Sequence, residues 1–80
     1  MYNVDLGEMR REVGALLRQI RTEAGVRQAD LARMLDRPQS YVSKYESAEK
    51  RLDIAELHHV CSALNVPLID FVKRLQEGGQ

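Results

Sequence analysis

The stretch Gln28–Glu46, Q-A-D-L-A-R-M-L-D-R-P-Q-S-Y-V-S-K-Y-E, restricts the fold of this chain more than any other part of it. Gln28, Leu31, Ala32 and Leu35 fall at i, i+3, i+4 and i+7, which makes one apolar-leaning helical face. Asp36-Arg37-Pro38 ends that period. Aspartate tolerates left-handed backbone angles, and the residue ahead of a proline is pushed out of the helical region. Pro38 suits the first turn of a second helix, where a missing N–H costs nothing. The spacing therefore predicts two short helices joined by a tight turn, with the remaining segments packed around them.

On the second of these helices the residues divide by face. At ~100° per residue, Val42 and Tyr45 point one way with Tyr41 at the edge, and Gln39, Ser40, Ser43 and Lys44 point the other way. The outward set is an amide, two hydroxyls and an ammonium, with no carboxylate. Such side chains hydrogen-bond base edges and phosphates in a major groove. A helix that is apolar inside and carries this set outside is a candidate recognition helix.

The segment resembles the helix-turn-helix of the lambda-repressor-like family, the Cro/cI or xenobiotic-response-element type. That family's pattern is roughly Q-x-x-L-A-x-x-L-G-V-S-x-x-x-[VI]-S-x-x-E. This chain supplies Gln28, Leu31, Ala32, Leu35, Val42, Ser43 and Glu46 in register, and the likeness runs from about Leu16 to Leu75. The chain departs from the pattern at the turn: Asp36 replaces its glycine, Arg37 a buried aliphatic residue, and Pro38 the serine that caps the second helix. The last change removes a side-chain cap, a loss of about 1 kcal/mol, while Arg37 adds a cation at the groove entrance. The resemblance implies an all-α fold, a compact five-helix bundle in one domain spanning 1–80, with 1–4 and 77–80 frayed. It also implies that Gln28, at a helix N-terminus, touches the DNA backbone, and that Arg21 faces Glu46 as a partly buried ion pair locking the first helix to the third.

Composition agrees with a helical core. With 44% hydrophobic and only 5% aromatic residues, the interior must be aliphatic, and no run shows the sustained period-2 alternation of a sheet. Asp5-Leu-Gly-Glu8 reads as a capping box. Behind it Met9, Val13, Leu16, Leu17, Ile20 and Ala24 line one side, and Gly25 is the natural stop. Asp53-Ile-Ala-Glu56 is a second capping box, followed by Ile54, Leu57, Val60, Cys61 and Leu64 on one face. Asn65-Val-Pro67 breaks that helix, and Pro67 opens the last one. There Leu68, Phe71, Val72 and Leu75 make an apolar face with Ile69 at its flank, broader than a small core needs. A second copy of the chain is the economical partner for the surplus, so these five residues are the expected dimer interface.

Net charge is zero, but its distribution is uneven. Residues 26–51 carry six basic and four acidic side chains, and residues 52–80 carry two basic and four acidic. The excess of +2 therefore coincides with the candidate recognition segment. In the loop after Glu46, Lys50 and Arg51 are expected on phosphates, with Ala48 where the family commonly has glycine.

No catalytic constellation appears. The paired carboxylates sit at helix starts, where capping explains them, and no phosphate-binding glycine loop is present. His58 and His59 are adjacent and splay apart on a helix, so they make no two-ligand metal site. No metal or cofactor is expected, and the chain reads as a non-enzyme. The single cysteine, Cys61, sits mid-face as a buried structural thiol and points to a reducing compartment. No apolar run is long enough to span a bilayer, and Met1-Tyr-Asn-Val-Asp5 lacks the order of a targeting segment, so a cytoplasmic protein is expected.

Two functions fit. The first is a sequence-specific regulator that binds double-stranded DNA as a homodimer on a palindromic operator. In it Gln39 reaches an adenine edge or otherwise a phosphate, Ser40 and Lys44 contact bases, Tyr41 and Ser43 sit on the backbone, and Gln28, Arg37, Lys50 and Arg51 add contacts. The second is a protein-interaction module, such as a single-domain antitoxin, that binds a toxin through the last helix.

Overall fold

The computed structural model describes residues 4–78. Five helices follow one another: α1 (Leu6–Glu23), α2 (Gln28–Leu35), α3 (Gln39–Glu46), α4 (Ile54–Ala63) and α5 (Leu68–Gln76). The expected fraying of 1–4 and 77–80 falls largely outside the described residues. Within them, α5 ends at Gln76 with Glu77 as its C-cap.

The starts differ in how they are capped. Asp53 accepts from the Glu56 N–H at 2.7 Å while the Glu56 carboxylate accepts from the Asp53 N–H at 2.9 Å, a complete capping box on α4. At α1 only half of the expected box forms, with Asp5 accepting from the Glu8 N–H. Helices α2, α3 and α5 have no side-chain cap. Pro38 and Pro67 stand just before α3 and α5 as extended N-cap residues, one position earlier than a first-turn proline.

The ends share one device. After α1, α2, α3 and α4 the chain turns on a left-handed residue: Gly25, Asp36, Ala48 and Asn65, with φ of 73°, 56°, 66° and 60°. Each time the next residue's N–H reaches back five positions, as in Val26 to Arg21, Arg37 to Ala32, Glu49 to Lys44 and Val66 to Cys61. This is the Schellman arrangement, which satisfies carbonyls that the helix end leaves free. Glycine, aspartate and asparagine adopt such angles at low cost; alanine does not.

Leu17, Leu31, Leu35, Val42, Val60, Cys61 and Phe71 are fully enclosed, with Leu16, Ile20, Ala32, Tyr45 and Leu64 completing the core. Three expectations fail. Ala24 is exposed because it already belongs to the turn ending α1, where helical periodicity no longer decides direction. Ile54, the first residue of α4, is 66% exposed because the helix only begins to meet the core one turn later. Phe71 is 0% exposed and belongs to the monomer's own core, so it offers no face to a second copy.

Gly14 is buried where α1 crosses the end of α3. A Cβ there would lie 2.5 Å from the Tyr45 carbonyl oxygen and 2.7 Å from that of Glu46. The missing side chain lets α1 lie directly on the last turn of α3.

Candidate nucleic-acid interface

One carboxylate holds the inner side of α3 to the rest of the fold. Arg21, 7% exposed, donates from Nε to Glu46 Oε2 at 2.7 Å and from Nη2 to Oε1 at 3.1 Å. Its Nη1 donates to the Val26 carbonyl at 2.8 Å, so the same guanidinium also fixes the connection into α2. The hydrogen bond to Glu46 raises the Arg21 pKa against the opposing effect of burial, so the guanidinium stays charged. A bidentate, enclosed pair of this kind sets geometry more than it adds net stability.

Gln28 extends the chain of contacts outward. Its amide nitrogen donates to Glu46 Oε1 at 3.0 Å, and its amide oxygen accepts from Gln39 Nε2 at 3.5 Å. A row of polar groups thus runs from the buried Arg21 through Glu46 and Gln28 to Gln39 at the surface. The link between two side-chain amides on successive helices was not legible in the sequence, because it depends on the crossing of α2 and α3.

On the outer side of α3, Gln39, Ser40 and Lys44 are exposed and Ser43 is half-buried, its hydroxyl donating to the Ser40 carbonyl at 3.2 Å. The only carboxylate on the helix, Glu46, faces inward. Tyr41 is half-buried and meets Tyr45 edge-on, with ring centroids 5.6 Å apart and planes at 83°. Two cations flank it: the Arg37 guanidinium 5.9 Å from its centroid and the Lys50 ammonium 5.4 Å. Contacts of this kind hold flexible cationic side chains over a ring face. Arg37 also donates to the Asp36 carbonyl, and Lys50 lies 3.8 Å from Glu56.

The expected contact residues therefore fall into three groups. Gln28 and Gln39 are joined; Arg37, Tyr41 and Lys50 cluster at the turn and the loop after α3; Ser40, Ser43 and Lys44 project between them. Arg51 is exposed and lies apart, on the side of the loop facing α1. On α2, Asp30 is taken up by Arg27 at 3.0 Å and by Arg33, with its pKa lowered chiefly by the Arg27 hydrogen bond. On α5, Leu68 and Leu75 are half-buried, while Ile69 is 64% exposed and Val72 37%.

Burial raises the pKa of the Tyr45 hydroxyl, and it pushes the Cys61 thiol up to about 11, so both remain protonated at neutral pH. Cys61 is an enclosed apolar filler rather than a nucleophile. Among the described residues no group of His, Cys, Asp and Glu is arranged to hold a metal ion, and no helix is long and apolar enough to cross a membrane.

The family described as a helix-turn-helix domain matches residues 12–71. Solved structures agree along nearly the whole chain. An XRE-family-like protein from Pseudomonas syringae pv. tomato is 36% identical, with a TM-score of 0.80 over 88% of this chain and 85% of that one. The clp gene regulator ClgR from Corynebacterium glutamicum is 28% identical, with a TM-score of 0.81 over 90% and 92%. The restriction-modification controller protein C.Esp1396I, as a tetramer in complex with its natural 35 base-pair operator, is 27% identical, with a TM-score of 0.82 over 89% and 93%. No curated protein sequence matches the chain significantly.

Proposed function

This chain belongs to the helix-turn-helix domain family of DNA-binding transcription regulators, and on that premise we propose that it acts as a homodimer on a palindromic operator. The observation that carries the reading is the outer side of α3: Gln39, Ser40 and Lys44 are all exposed, free of carboxylates, on a helix whose other side is locked by Glu46. In the reading, α3 enters the major groove. Gln39, held by Gln28, presents its amide to an adenine edge; Ser40 and Lys44 contact neighbouring bases; Ser43 and Tyr41 lie on the backbone. Gln28, Arg37, Lys50 and Arg51 neutralise phosphates. The two copies meet through the exposed apolar side chains Ile69 and Val72, flanked by Leu68 and Leu75, and their recognition helices sit ~34 Å apart.

The controller protein bound to its operator as a tetramer supports DNA binding by an assembly of such domains. A second reading uses the same α5 surface for a different protein, such as a toxin; the exposure of Ile69 and Val72 favours it equally.

Duplex binding measured against salt tests the proposal. Affinity for random duplex DNA falls steeply with salt, with a slope of about −0.9 per phosphate neutralised. Gln39→Ala and Lys44→Ala each lower discrimination between cognate and random sites by ~1–3 kcal/mol, whereas Arg51→Ala weakens every duplex alike. Equal losses for all three variants on both DNAs would show that α3 does not read bases. Ile69→Asp elutes as a monomer in sizing experiments; a dimer that survives it places the interface elsewhere.

A further inference from the structure

Between the first turns of α1 and the stretch Lys50–Leu52 lies an open concavity of about 260 Å3. Its apolar lining comes from Leu6, Met9, Val13 and Leu52. Leu6 is largely exposed, although it belongs to a helix whose later apolar residues are enclosed. Leu6, Met9 and Arg10 precede the span matched by the family model.

The charged part of the lining has one sign. Arg10, Lys50 and Arg51 border the concavity, and no carboxylate does. Lys50 is engaged with Glu56 and the Tyr41 ring, whereas Arg10 and Arg51 form no ion pair with any described residue. Tyr45 completes the lining with its ring, and its hydroxyl is enclosed beneath the surface.

These features select one chemistry. A DNA phosphate uses the cations but leaves the apolar lining wet, and an apolar helix from a partner buries the lining but desolvates unpaired guanidinium groups. An anion with a hydrocarbon body satisfies both. We propose that the concavity binds a small organic carboxylate, its apolar tail on Leu6, Met9, Val13 and Leu52 and its carboxylate between Arg10 and Arg51. The size suits a medium-chain or arylcarboxylic acid better than a nucleotide.

Occupancy affects Arg51 and neighbouring Lys50, two of the cations assigned above to phosphates. Binding of the carboxylate therefore lowers affinity for all duplexes together, without changing base discrimination; this regulatory half rests on the DNA-binding reading.

The test uses octanoate as the probe, with octan-1-ol and acetate for comparison, followed by calorimetry and by NMR shifts of the full chain. Octanoate gives saturable shifts confined to Leu6, Met9, Val13 and Leu52 and binds at least about tenfold tighter than octanol or acetate, the scale of one charge-assisted hydrogen bond. Arg10→Ala, at an exposed position, removes that advantage over octanol, and Met9→Trp, which fills the concavity, abolishes binding of both; circular dichroism verifies that each variant stays folded. Octanoate and octanol binding alike, an unchanged Arg10→Ala, or shifts scattered without saturation each overturn the proposal. Duplex titrations with and without saturating octanoate separate the two readings. DNA binding that ignores bound octanoate overturns the regulatory half, whereas octanoate bound to a chain that binds no duplex supports the site while removing the function proposed above.

Discussion

The Glu46 carboxylate accepts from Arg21 twice and from Gln28 once while almost closed to solvent. Glu46→Ala leaves a guanidinium enclosed without its counter-charge, a loss of ~3–5 kcal/mol. For a domain of this size each kcal/mol is worth ~4–8 °C, so the thermal midpoint drops by well over ~10 °C. Glu46→Gln keeps the volume and one acceptor and loses less; a midpoint unmoved by the alanine would mean that the pair contributes nothing to the fold. Position 48 works in the opposite direction. Ala48 is held at φ 66°, where its Cβ crowds the backbone, and the turn gains nothing visible from the methyl group. Ala48→Gly relieves that strain, against a smaller entropic cost in the unfolded chain, and raises stability by ~0.5–1 kcal/mol. Urea denaturation resolves a change of this size as a higher midpoint with an unchanged slope.

Among the elements, α1 and α3 cross at close quarters, because Gly14 admits the Tyr45 and Glu46 carbonyls where a side chain would stand. Gly14→Ala gains helix propensity locally, yet backbone cannot give way as a flexible side chain can. The variant loses ~1–3 kcal/mol through overpacking and tilts α3. Its affinity for duplex therefore falls even at temperatures where circular dichroism shows a folded chain; full stability would mean that the helices separate freely. How far the elements could be read in advance follows from the same distinction. Gly25, Asp36 and Asn65 announce their turns because their own backbone preferences match the angles they adopt, and Asp53 announces α4 by its own side chain. Ala48 gives no such signal. Gly14 gives a weak one, a glycine inside an apolar helical face, whose reason lies on another helix twenty-five or more residues away in the chain. The breadth of the apolar face on α5 was legible, but its division was not: only the placement against α1 and α4 sends Phe71 inward and leaves Ile69 and Val72 outside. The Gln28–Gln39 contact is of the same kind, set by a crossing and not by either local sequence.

For the molecule as a whole, equal numbers of acidic and basic groups leave long-range attraction to DNA to the +2 excess of residues 26–51. The interior adds a dependence on alkaline pH. Burial raises the Cys61 pKa from 9.0 to about 11 and lifts that of Tyr45 as well, so on raising the pH the unfolded chain releases these protons first. The folded state then holds more protons than the unfolded one, and stability falls with increasing pH. The contribution is intact below the thiol's ordinary value of 9.0 and is lost as the pH climbs through about 11. Thermal midpoints stay level up to about pH 9 and decline above it, and Cys61→Ala, less stable at neutral pH, declines less steeply, with Tyr45 supplying the remainder. An identical slope in that variant would remove the thiol from the account. Helix α3 itself has eight residues and no side-chain cap, well under the ~12–15 residues that an isolated helix needs. Its shape is lent to it entirely from behind, and so its front is free to diverge. On the base-reading role proposed for them, exchanging Ser40 or Lys44 alters the address the protein seeks without disturbing the Arg21–Glu46–Gln28 scaffold behind, which makes this small domain a convenient starting point for retargeting.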